Sequence, residues 1–476
     1  MHHRQFSRFS RFLMLALVAF VALLSVFSAG AQQPQGDKSK AAQTKEEEPV
    51  AITPKVAKEK TIEAPRTPGP DEFGNFRFPL INNKSEIAFL ALYSNPNGLN
   101  GASQAIFVRR PDGKWTVTRE GEKAANLPEG IYSFSMPSFN DNGDLSFYSS
   151  FGSMMGGQTR VAAAAPADPN DPVSQTAGVR NAALYVKTAQ GLKSLAKLGE
   201  EVPLMPSHFS GFSNASTNNK GTTAFIGTYS DPDGRGLFLV EEGKLRLIVR
   251  SGQKVGETNP GETFSEHYYP TPINDRGEVA FLSRIGGDAS GIFVYRPTGL
   301  EQIAFTGKPS PIKGANYLGF GNRTPTMNSK GEVAFAAFYD GPNFGRGLFF
   351  KGAGPVQIVA KSGDKAGDAG GEFKDFLSPS LNARGDIAFI GKMEGRAQGI
   401  FLKTAKGIEA VALLDQKIPG GKGEFEVFNN FTQPSINDKG EVVFYGQLKN
   451  AEVGIFYRDE KGMLHTVVRR GDKMPK

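Results

Sequence analysis

The sequence contains no cysteine and very little tryptophan or histidine. Without cysteine there is no disulfide framework, no cysteine-ligated zinc or iron–sulfur centre, no cysteine nucleophile and no cysteine for a lipid anchor. Trp115 is the one tryptophan, and beyond the first three residues the histidines are His208, His267 and His465. These histidines fall at unrelated positions, so no histidine-rich metal centre is expected. The sequence predicts neither a metal nor a cofactor.

No stretch of the chain concentrates charge of one sign. The 476 residues include 55 basic and 48 acidic side chains, a net charge of +7, spread along the whole length. A nucleic-acid-binding surface would need a clustered basic patch, so no nucleic-acid partner is expected. Hydrophobic residues make up 39% of the chain and 57 residues are glycine. This composition fits a globular protein with many turns and favours β-structure.

The first 31 residues have the pattern of an export signal. Arg4, Arg8 and Arg11 precede an apolar run from Phe12 to Phe27, and small residues follow up to Ala31. This order matches a signal peptide, and we expect cleavage after Ala31. The alternative is an uncleaved N-terminal anchor, although the run is short for a spanning helix. The rest of the chain is predicted to be periplasmic or extracellular, with membrane contact only if the segment stays uncleaved.

Residues 32–70 are predicted to be a disordered linker. They mix basic and acidic residues, contain several prolines and have no aromatic residue. Such a segment cannot bury enough apolar surface to fold. The folded part is therefore expected to be 71–476.

Residues 71–476 contain seven copies of one short motif, as in INDRGEVAF (Ile273 to Phe281). Successive copies are 54 to 58 residues apart, except for one spacing of 78. Repetition at a fixed period indicates a repeat architecture. The leading asparagines, interpreted as structural turn residues, are Asn82, Asn140, Asn218, Asn274, Asn328, Asn382 and Asn437.

Each motif position has a mechanical role. Asparagine can bond back to the turn backbone, and glycine three residues later supplies a positive φ, as in a tight hairpin; Ser85 replaces that glycine in the first copy. The alternation that follows predicts a strand with phenylalanine on one face and a small residue on the other, so that successive sheets can interdigitate. A G-L-F or G-I-F strand, a further strand and an aromatic segment complete each unit. Four strands in seven units predict an all-β, seven-bladed β-propeller of four-stranded antiparallel blades. The rival architecture, a parallel β-helix, has shorter coils of about 20 to 25 residues.

The tandem N-x-x-G-x-x-A-F string resembles the exported bacterial "choice-of-anchor tandem repeat NxxGxxAF" proteins and, less closely, the periplasmic propeller of the Tol system. The resemblance covers residues 71–476 and implies a propeller-like fold outside the cytoplasm. Members of the family often end in a C-terminal sorting anchor. The last residues here, 472–476, are not apolar, so anchoring by that route is not expected.

Positions that vary between repeats are the candidates for function, because the scaffold is otherwise fixed. The position six residues before each asparagine is mostly aromatic, and we interpret it as a core ring. The residues at this position are Phe76, Phe134, Phe212, Tyr268, Asn322, Phe376 and Phe431. Variable residues flank that position on the predicted innermost strand. We expect five of them to face or rim the central channel, as a mouth for a carboxylate, phosphate or sugar. They are Arg77, His267, Arg323, Asp375 and Asn430. The alternative is that they are solvated channel residues without a ligand.

The long spacing between the second and third copies places an insertion at 150–181 in blade 2. It would lie between the second and third strands of that blade. The functional interpretation is a lid or partner-binding loop, and the alternative is a tolerated insertion.

The first functional hypothesis is a non-catalytic exported propeller, a monomer that binds or scaffolds an envelope protein or a glycan. The alternative is a hydrolase or lyase acting on polysaccharide or peptide at the channel mouth, with Glu266 and Asp375 as the only acid–base pair available. No P-loop, G-x-S-x-G or H-E-x-x-H motif occurs in a suitable context. A propeller does not itself imply an activity, so the binding hypothesis is preferred.

Overall fold

A computed structural model describes residues 68–475, apart from 100, 152–180, 231–232, 257–260, 269–271, 322–323, 342–343, 378, 421–422 and 429–432. The predicted signal peptide, nearly all of the linker and most of the insertion lie outside the described residues. Within the described ranges, no helix is long and apolar enough to cross a membrane.

The fold is a seven-bladed β-propeller with four-stranded antiparallel blades, as the repeats predict. The strands of blades 1 to 3 are β1 (Phe73–Ile81), β2 (Ile87–Leu99), β3 (Ala102–Arg109), β4 (Trp115–Arg119), β5 (Ser138–Phe139), β6 (Leu145–Ser150), β7 (Ala182–Thr188), β8 (Gly191–Lys197), β9 (His208–Phe212), β10 (Ser216–Thr217), β11 (Thr223–Ser230), β12 (Gly234–Glu241) and β13 (Lys244–Arg250).

The remaining four blades repeat this order. Their strands are β14 (Phe264–Tyr268), β15 (Val279–Ile285), β16 (Ala289–Arg296), β17 (Gly299–Phe305), β18 (Tyr317–Gly319), β19 (Thr326–Met327), β20 (Val333–Tyr339), β21 (Gly345–Lys351), β22 (Val356–Lys361), β23 (Phe373–Phe376), β24 (Ser380–Leu381), β25 (Ile387–Met393), β26 (Gln398–Thr404), β27 (Gly407–Leu413), β28 (Phe425–Val427), β29 (Ser435–Ile436), β30 (Val442–Leu448), β31 (Val453–Arg458) and β32 (Leu464–Arg469). Two 3-10 turns, η1 (Gly367–Ala369) and η2 (Glu394–Arg396), are the helical elements of the described chain.

The innermost strand of most blades is interrupted. In blade 3, β9 and β10 both pair with β11, and blades 5, 6 and 7 show the same two pieces. The asparagine motif connects the second piece to the next strand. All seven asparagine turns therefore lie at the same end of their inner strands, which we call the turn face. The opposite end, where the second and third strands are connected, we call the loop face.

Each blade is built around a stack of two aromatic rings from its second and third strands. The motif phenylalanine pairs directly across the ladder with the aromatic residue of the G-L-F strand, as Phe225 does with Phe238. The seven stacked pairs have centroids 5.3–5.9 Å apart. Cross-strand aromatic pairs of this kind stabilise a sheet beyond the area that they bury.

Neighbouring blades pack aromatic face against small face, as predicted. Ala224 and Ile226 of blade 3 share a core cluster with Phe281 and Phe293 of blade 4. Each of the seven interfaces has one such cluster. The cluster that joins Val443 of blade 7 to the phenylalanines of blade 1 closes the ring.

A repeated backbone clasp also links each outer strand to the next blade. The N–H of Gly363 donates to the carbonyl of Phe373, and the N–H of Phe373 donates to the carbonyl of Asp364, both at 2.9 Å. The same pair of bonds joins Gly471 and Asp472 to Phe73. This last clasp is the non-covalent seam between the two ends of the propeller. Gly252, Gly363 and Gly471 all have positive φ in this repeated clasp. Residues 470–472 have the sequence Arg-Gly-Asp, and they are part of this repeated turn.

The structure corrects the predicted aromatic ring in three blades. Phe76, Phe134, Phe212 and Phe376 are buried as expected. The predicted residues Asn322 and Phe431 and the side chain of Tyr268 lie outside the described residues; the buried aromatic positions of blades 4, 5 and 7 are His267, Phe320 and Phe428. The segment between the inner strand and the asparagine is longer in those blades, so a fixed offset of six residues selects the wrong position.

Candidate functional site

The asparagine of each repeat organises its own turn. The Oδ1 of Asn382 accepts from the N–H groups of Arg384 and Asp386, at 3.0 and 2.9 Å. The N–H of Gly385 donates to the backbone carbonyl of Asn382, and this glycine has φ of 84°. These bonds close a tight turn that ends in a left-handed residue, as the motif spacing predicts. Ser85 adopts the same positive φ in blade 1.

The seven asparagines also form a closed ring around the propeller axis, the asparagine ring. The side-chain Nδ2 of each residue donates to the backbone carbonyl of the corresponding asparagine in the next blade, at 2.8–3.5 Å. The last bond runs from Asn437 back to Asn82. All seven residues are buried. A repeated turn residue therefore also joins the blades.

In six blades the same Nδ2 also donates to a carboxylate four residues later. The acceptors are Glu86, Asp144, Glu278, Glu332, Asp386 and Glu441. Thr222 takes this position in blade 3. Burial disfavours the charged form of Glu278, but hydrogen bonds from Arg276, Asn274 and Arg296 outweigh it and lower its pKa.

A pocket of about 260 Å³ opens on the turn face at the centre of the asparagine ring. The residues before the asparagines also line this pocket; all of them except Thr217 are apolar, and we call these apolar residues the collar. The rim is formed by the residues that follow the asparagines: Asn83, Asp141, Asn219, Asp275, Ser329, Ala383 and Asp438. We call these last seven the rim and the cavity the turn-face pocket.

The rim is held in place by hydrogen bonds between blades. In five of the seven blades the backbone N–H of the rim residue donates to a side-chain oxygen of the next rim residue, at 2.7–2.8 Å. Asn219 shows the full pattern: its N–H and its side-chain amide donate to the two oxygens of Asp275, at 2.8 and 2.9 Å. Asparagine and aspartate alternate along this arc, so no two carboxylates are adjacent in it. The pocket thus presents pre-oriented amide and carboxylate groups.

Exposed basic residues surround the rim. The residue two positions after the motif asparagine is basic in six blades: Lys84, Lys220, Arg276, Lys330, Arg384 and Lys439. Arg276 and Arg384 bind the carboxylates of their own turns, at 2.6 and 2.7 Å. Within the described chain, no group of three or more histidine, aspartate or glutamate side chains is arranged to hold a metal ion.

None of the described residues predicted at the channel mouth lines the turn-face pocket. Arg77 is exposed on β1. His267 does not face the channel: it is fully buried, packed against the rings of Phe264 and Phe281. Burial, with a smaller effect of the positive charge of Arg235, lowers the pKa of His267 to about 3. Arg323 and Asn430 lie outside the described residues.

Asp375 is buried at an interface between blades, where it forms an ion pair with Arg346 of blade 5 at 2.6 Å. The guanidinium of Arg346 also lies 5.1 Å from the ring centroid of Phe338. Phe344, which is 66% exposed, stacks on Phe338. The other predicted carboxylate, Glu266, lies 3.8 Å from Arg284 within its own blade. Each member of the proposed acid–base pair is therefore ion-paired with an arginine.

The rim residues were missed because the motif was interpreted as scaffold alone. The sequence does carry a signal for them at the position directly after each motif asparagine. In chain order, the residues there are Asn, Asp, Asn, Asp, Ser, Ala and Asp. A β-hairpin considered singly would place these side chains in solvent. They form a common rim only because the ring closure brings seven turns together.

The profile of a family described as being of unknown function (DUF7453) matches residues 18–397 and 391–475. No curated protein matches the sequence.

The solved structures that resemble this chain do so only at a distance. An acylaminoacyl peptidase from Pyrococcus horikoshii is 10% identical with a TM-score of 0.46, and the match covers 84% of this chain and 53% of the peptidase, so this chain spans about half of that protein. The BP39L lectin from Burkholderia pseudomallei is 9% identical with a TM-score of 0.42, covering 83% of this chain and 100% of the lectin. The periplasmic gluconolactonase of Pseudomonas aeruginosa is 14% identical with a TM-score of 0.37, covering 81% and 96%. These values give no basis for transferring a ligand or a reaction.

Proposed function

Since the chain belongs to the DUF7453 family, whose function is unknown, we propose its role from its own geometry: an exported, non-catalytic β-propeller that binds a glycan in the turn-face pocket. The observation that carries the proposal is the rim, in which amide and carboxylate groups are fixed by hydrogen bonds to neighbouring blades. The oxygens of Asp275 and Asp438 each accept one hydrogen bond from the protein and keep a lone pair, so they can accept from the hydroxyl groups of a ligand.

The size of the pocket favours a small polar ligand. Pockets for drug-sized molecules usually have volumes of about 300–1,000 Å³, and the turn-face pocket has about 260 Å³. One sugar unit of a longer glycan is of this order. The apolar collar, which includes Ile273 and Leu381, would contact the C–H face of such a ring. An extended peptide would need a groove or a free strand edge instead.

Binding is preferred to catalysis because of how the carboxylates are engaged. Both oxygens of Asp275 accept hydrogen bonds from Asn219, and both oxygens of Asp438 accept from neighbouring rim residues. A general acid or base must reach the proton that it transfers through one of its carboxylate oxygens, and these oxygens are already engaged by the protein. The hydrolase hypothesis relies on Glu266 and Asp375, and both are paired with arginines.

The glycan proposal is tested by calorimetric titration of the full exported chain with envelope-type saccharides. We expect binding without turnover, and binding at least about tenfold weaker for Asn219→Ala, which removes the bonds to Asp141 and Asp275. Asn126→Ala, an exposed asparagine outside the pocket, is the matched control. A variant that binds like the wild type would reject the pocket. Release of saccharide products, lost in Asp375→Asn, would favour the hydrolase.

The loop face remains a second proposed region for the same kind of ligand. Arg77, His267, Arg323, Asp375 and Asn430 were predicted at the mouth of the central channel, without a choice of face. On the loop face, the exposed Phe344 adds an aromatic surface beside Arg346. If this face binds the glycan, Phe344→Ala will weaken binding and Asn219→Ala will not. Deleting 152–180 tests the proposed lid, which is rejected if all binding is unchanged.

Export is proposed from the sequence of the first 31 residues alone. The resemblance to the "choice-of-anchor" NxxGxxAF proteins is kept as a proposal in the same sense. N-terminal sequencing of the chain recovered from the periplasm or medium should begin at Gln32. An uncleaved chain found in the membrane fraction would favour the anchor.

A further inference from the structure

The rim is interrupted at one place, between blades 4 and 6. Five rim N–H groups each donate to a side-chain oxygen of the next blade. Around the rim, Asp275 is followed by Ser329, and Ser329 is followed by Ala383. The side chains of Ser329 and Ala383 are shorter than those of asparagine or aspartate. Among the described residues, the N–H groups of Asp275 and Ser329 consequently have no acceptor. Both residues line the turn-face pocket.

The repeats show which chemical groups these two donors accommodate. Where the rim residue is an asparagine, at Asn83 and Asn219, its N–H donates to the carboxylate of the next rim residue, Asp141 or Asp275. Ser329 holds the corresponding place in its blade, and the next rim residue there is Ala383. Asp275 is itself a carboxylate, and the N–H groups of the other two rim aspartates donate to the neutral carbonyl oxygen of an asparagine. By comparison with the other blades, we expect the N–H of Ser329 to donate to a carboxylate and the N–H of Asp275 to donate to a neutral oxygen.

The charges near the interruption are compatible with a carboxylate. Lys330 follows Ser329, is exposed and has no ion-pair partner among the described residues. The flanking Asp275 and Asp438 already accept two hydrogen bonds each from the protein. Backbone N–H groups with a nearby cation are a recurrent way of binding an oxyanion.

We propose that the turn-face pocket selects a carboxylated sugar, a uronic acid unit, whose carboxylate accepts from the N–H of Ser329 and whose neighbouring oxygen accepts from the N–H of Asp275. This inference rests on the proposed glycan-binding function and names its ligand class. The ligand completes the ring of acceptors that the repeat sequence leaves open at Ser329 and Ala383.

The test compares glucuronate with glucose, a pair that differs at one carbon. In calorimetric titrations of the full exported chain, glucuronate should bind at least about tenfold more tightly than glucose. Lys330→Ala should weaken glucuronate binding about two- to fivefold and leave glucose binding unchanged, because only the carboxylate senses that charge.

Ala383→Asp is the decisive variant, because it supplies from the protein the carboxylate that the ligand would bring. Aspartate already occupies the same turn position in blades 2, 4 and 7, so the turn can accommodate it. The preference for glucuronate should disappear, and the melting temperature should not fall. Ala383→Val, which adds bulk without an acceptor, should leave the melting temperature below that of Ala383→Asp.

The outcomes separate the two proposals. Equal binding of both sugars, or a glucuronate preference that survives Ala383→Asp, overturns the carboxylate inference while the glycan-binding function stands. Binding of neither sugar, together with no response to any other saccharide, overturns both. Loss of the glucuronate preference in Ala383→Asp, with a melting temperature that does not fall, supports the inference.

Discussion

At the scale of single residues, the motif asparagine is the most informative side chain. Its amide uses all of its hydrogen-bonding capacity in most blades: two backbone N–H groups on Oδ1, and one carbonyl and one carboxylate on Nδ2. Aspartate has no amide donors and cannot make the last two bonds. The asparagine is therefore required by the ring of blades as well as by the turn.

Replacing this asparagine by aspartate should destabilise the propeller unequally from blade to blade. Asn382→Asp places a carboxylate where the amide now donates to Asp386 and to the carbonyl of Asn437, so we expect a loss of about 2–3 kcal/mol near neutral pH. Asn218→Asp faces Thr222 and a carbonyl only, and should cost about 1–2 kcal/mol. Urea unfolding measures both, with Lys220→Ala as an exposed control. Equal losses in the two blades would contradict the role given to the carboxylate.

His267 occupies a position that phenylalanine holds in other blades. Neither ring nitrogen has a hydrogen-bond partner among the described residues. The pKa of His267 is about 3 in the folded state, below its ordinary value of about 6.5. Only the unfolded chain takes up this proton between those values, so stability is fully present above pH 6.5 and falls as the pH drops towards 3.

His267→Phe should remove that acid sensitivity. The free energy of unfolding of the variant relative to the wild type should rise by about 2 kcal/mol between pH 6 and pH 4, because each pKa unit corresponds to about 1.4 kcal/mol. Groups common to both proteins cancel in this difference. Urea unfolding at several pH values gives the measurement. A difference that does not change with pH would show that His267 is not held neutral.

At the scale of strands and turns, the sequence predicted the elements well because their periodicity is local. Strand alternation and the Asn-x-x-Gly turn depend on contacts within one blade, and seven copies remove ambiguity in the register. A fixed offset of six residues did not select the buried His267, Phe320 and Phe428, because the link from the inner strand to the turn is longer in their blades. The pair of aromatic residues spaced by three, as in Phe73 and Phe76, would have given the correct position.

The small residues of the third strand are required by the stacked rings. A Cβ on Gly347 would lie 2.7 Å from the ring of Phe349. Gly347→Ala should therefore cost about 1–3 kcal/mol through overpacking. Gly354→Ala is the matched control, since nothing lies within 4 Å of its Cβ position. Thermal unfolding compares the two, and similar melting temperatures would contradict the packing described for the blade.

At the scale of the whole molecule, the pocket follows from ring closure and could not be predicted from any one repeat. The rim residues of the first and last blades are more than 350 positions apart in sequence, yet Asp438 accepts from the side-chain amide of Asn83. Composition and spacing predicted seven blades. They did not indicate that the turns converge, because that depends on the distance between blades.

The seam between blades 1 and 7 has an additional tie that explains the departure at Ser85. Its hydroxyl donates to Glu441 at 2.5 Å and accepts from the ammonium of Lys439 at 2.8 Å. Ser85→Ala should lower the free energy of unfolding by about 1–2 kcal/mol, because the bonds are lost and the positive φ remains. Ser85→Gly should lose less, since glycine tolerates that φ. A urea midpoint of Ser85→Gly above that of the wild type would show that backbone strain outweighs the seam contact.

A crystal structure of the protein grown with glucuronate tests the central claim most directly. We predict seven asparagine turns around one axis, with the sugar in the turn-face pocket and its carboxylate within hydrogen-bonding distance of the N–H of Ser329. A sugar bound on the loop face, an empty pocket at saturating ligand, or a different number of blades would contradict the account.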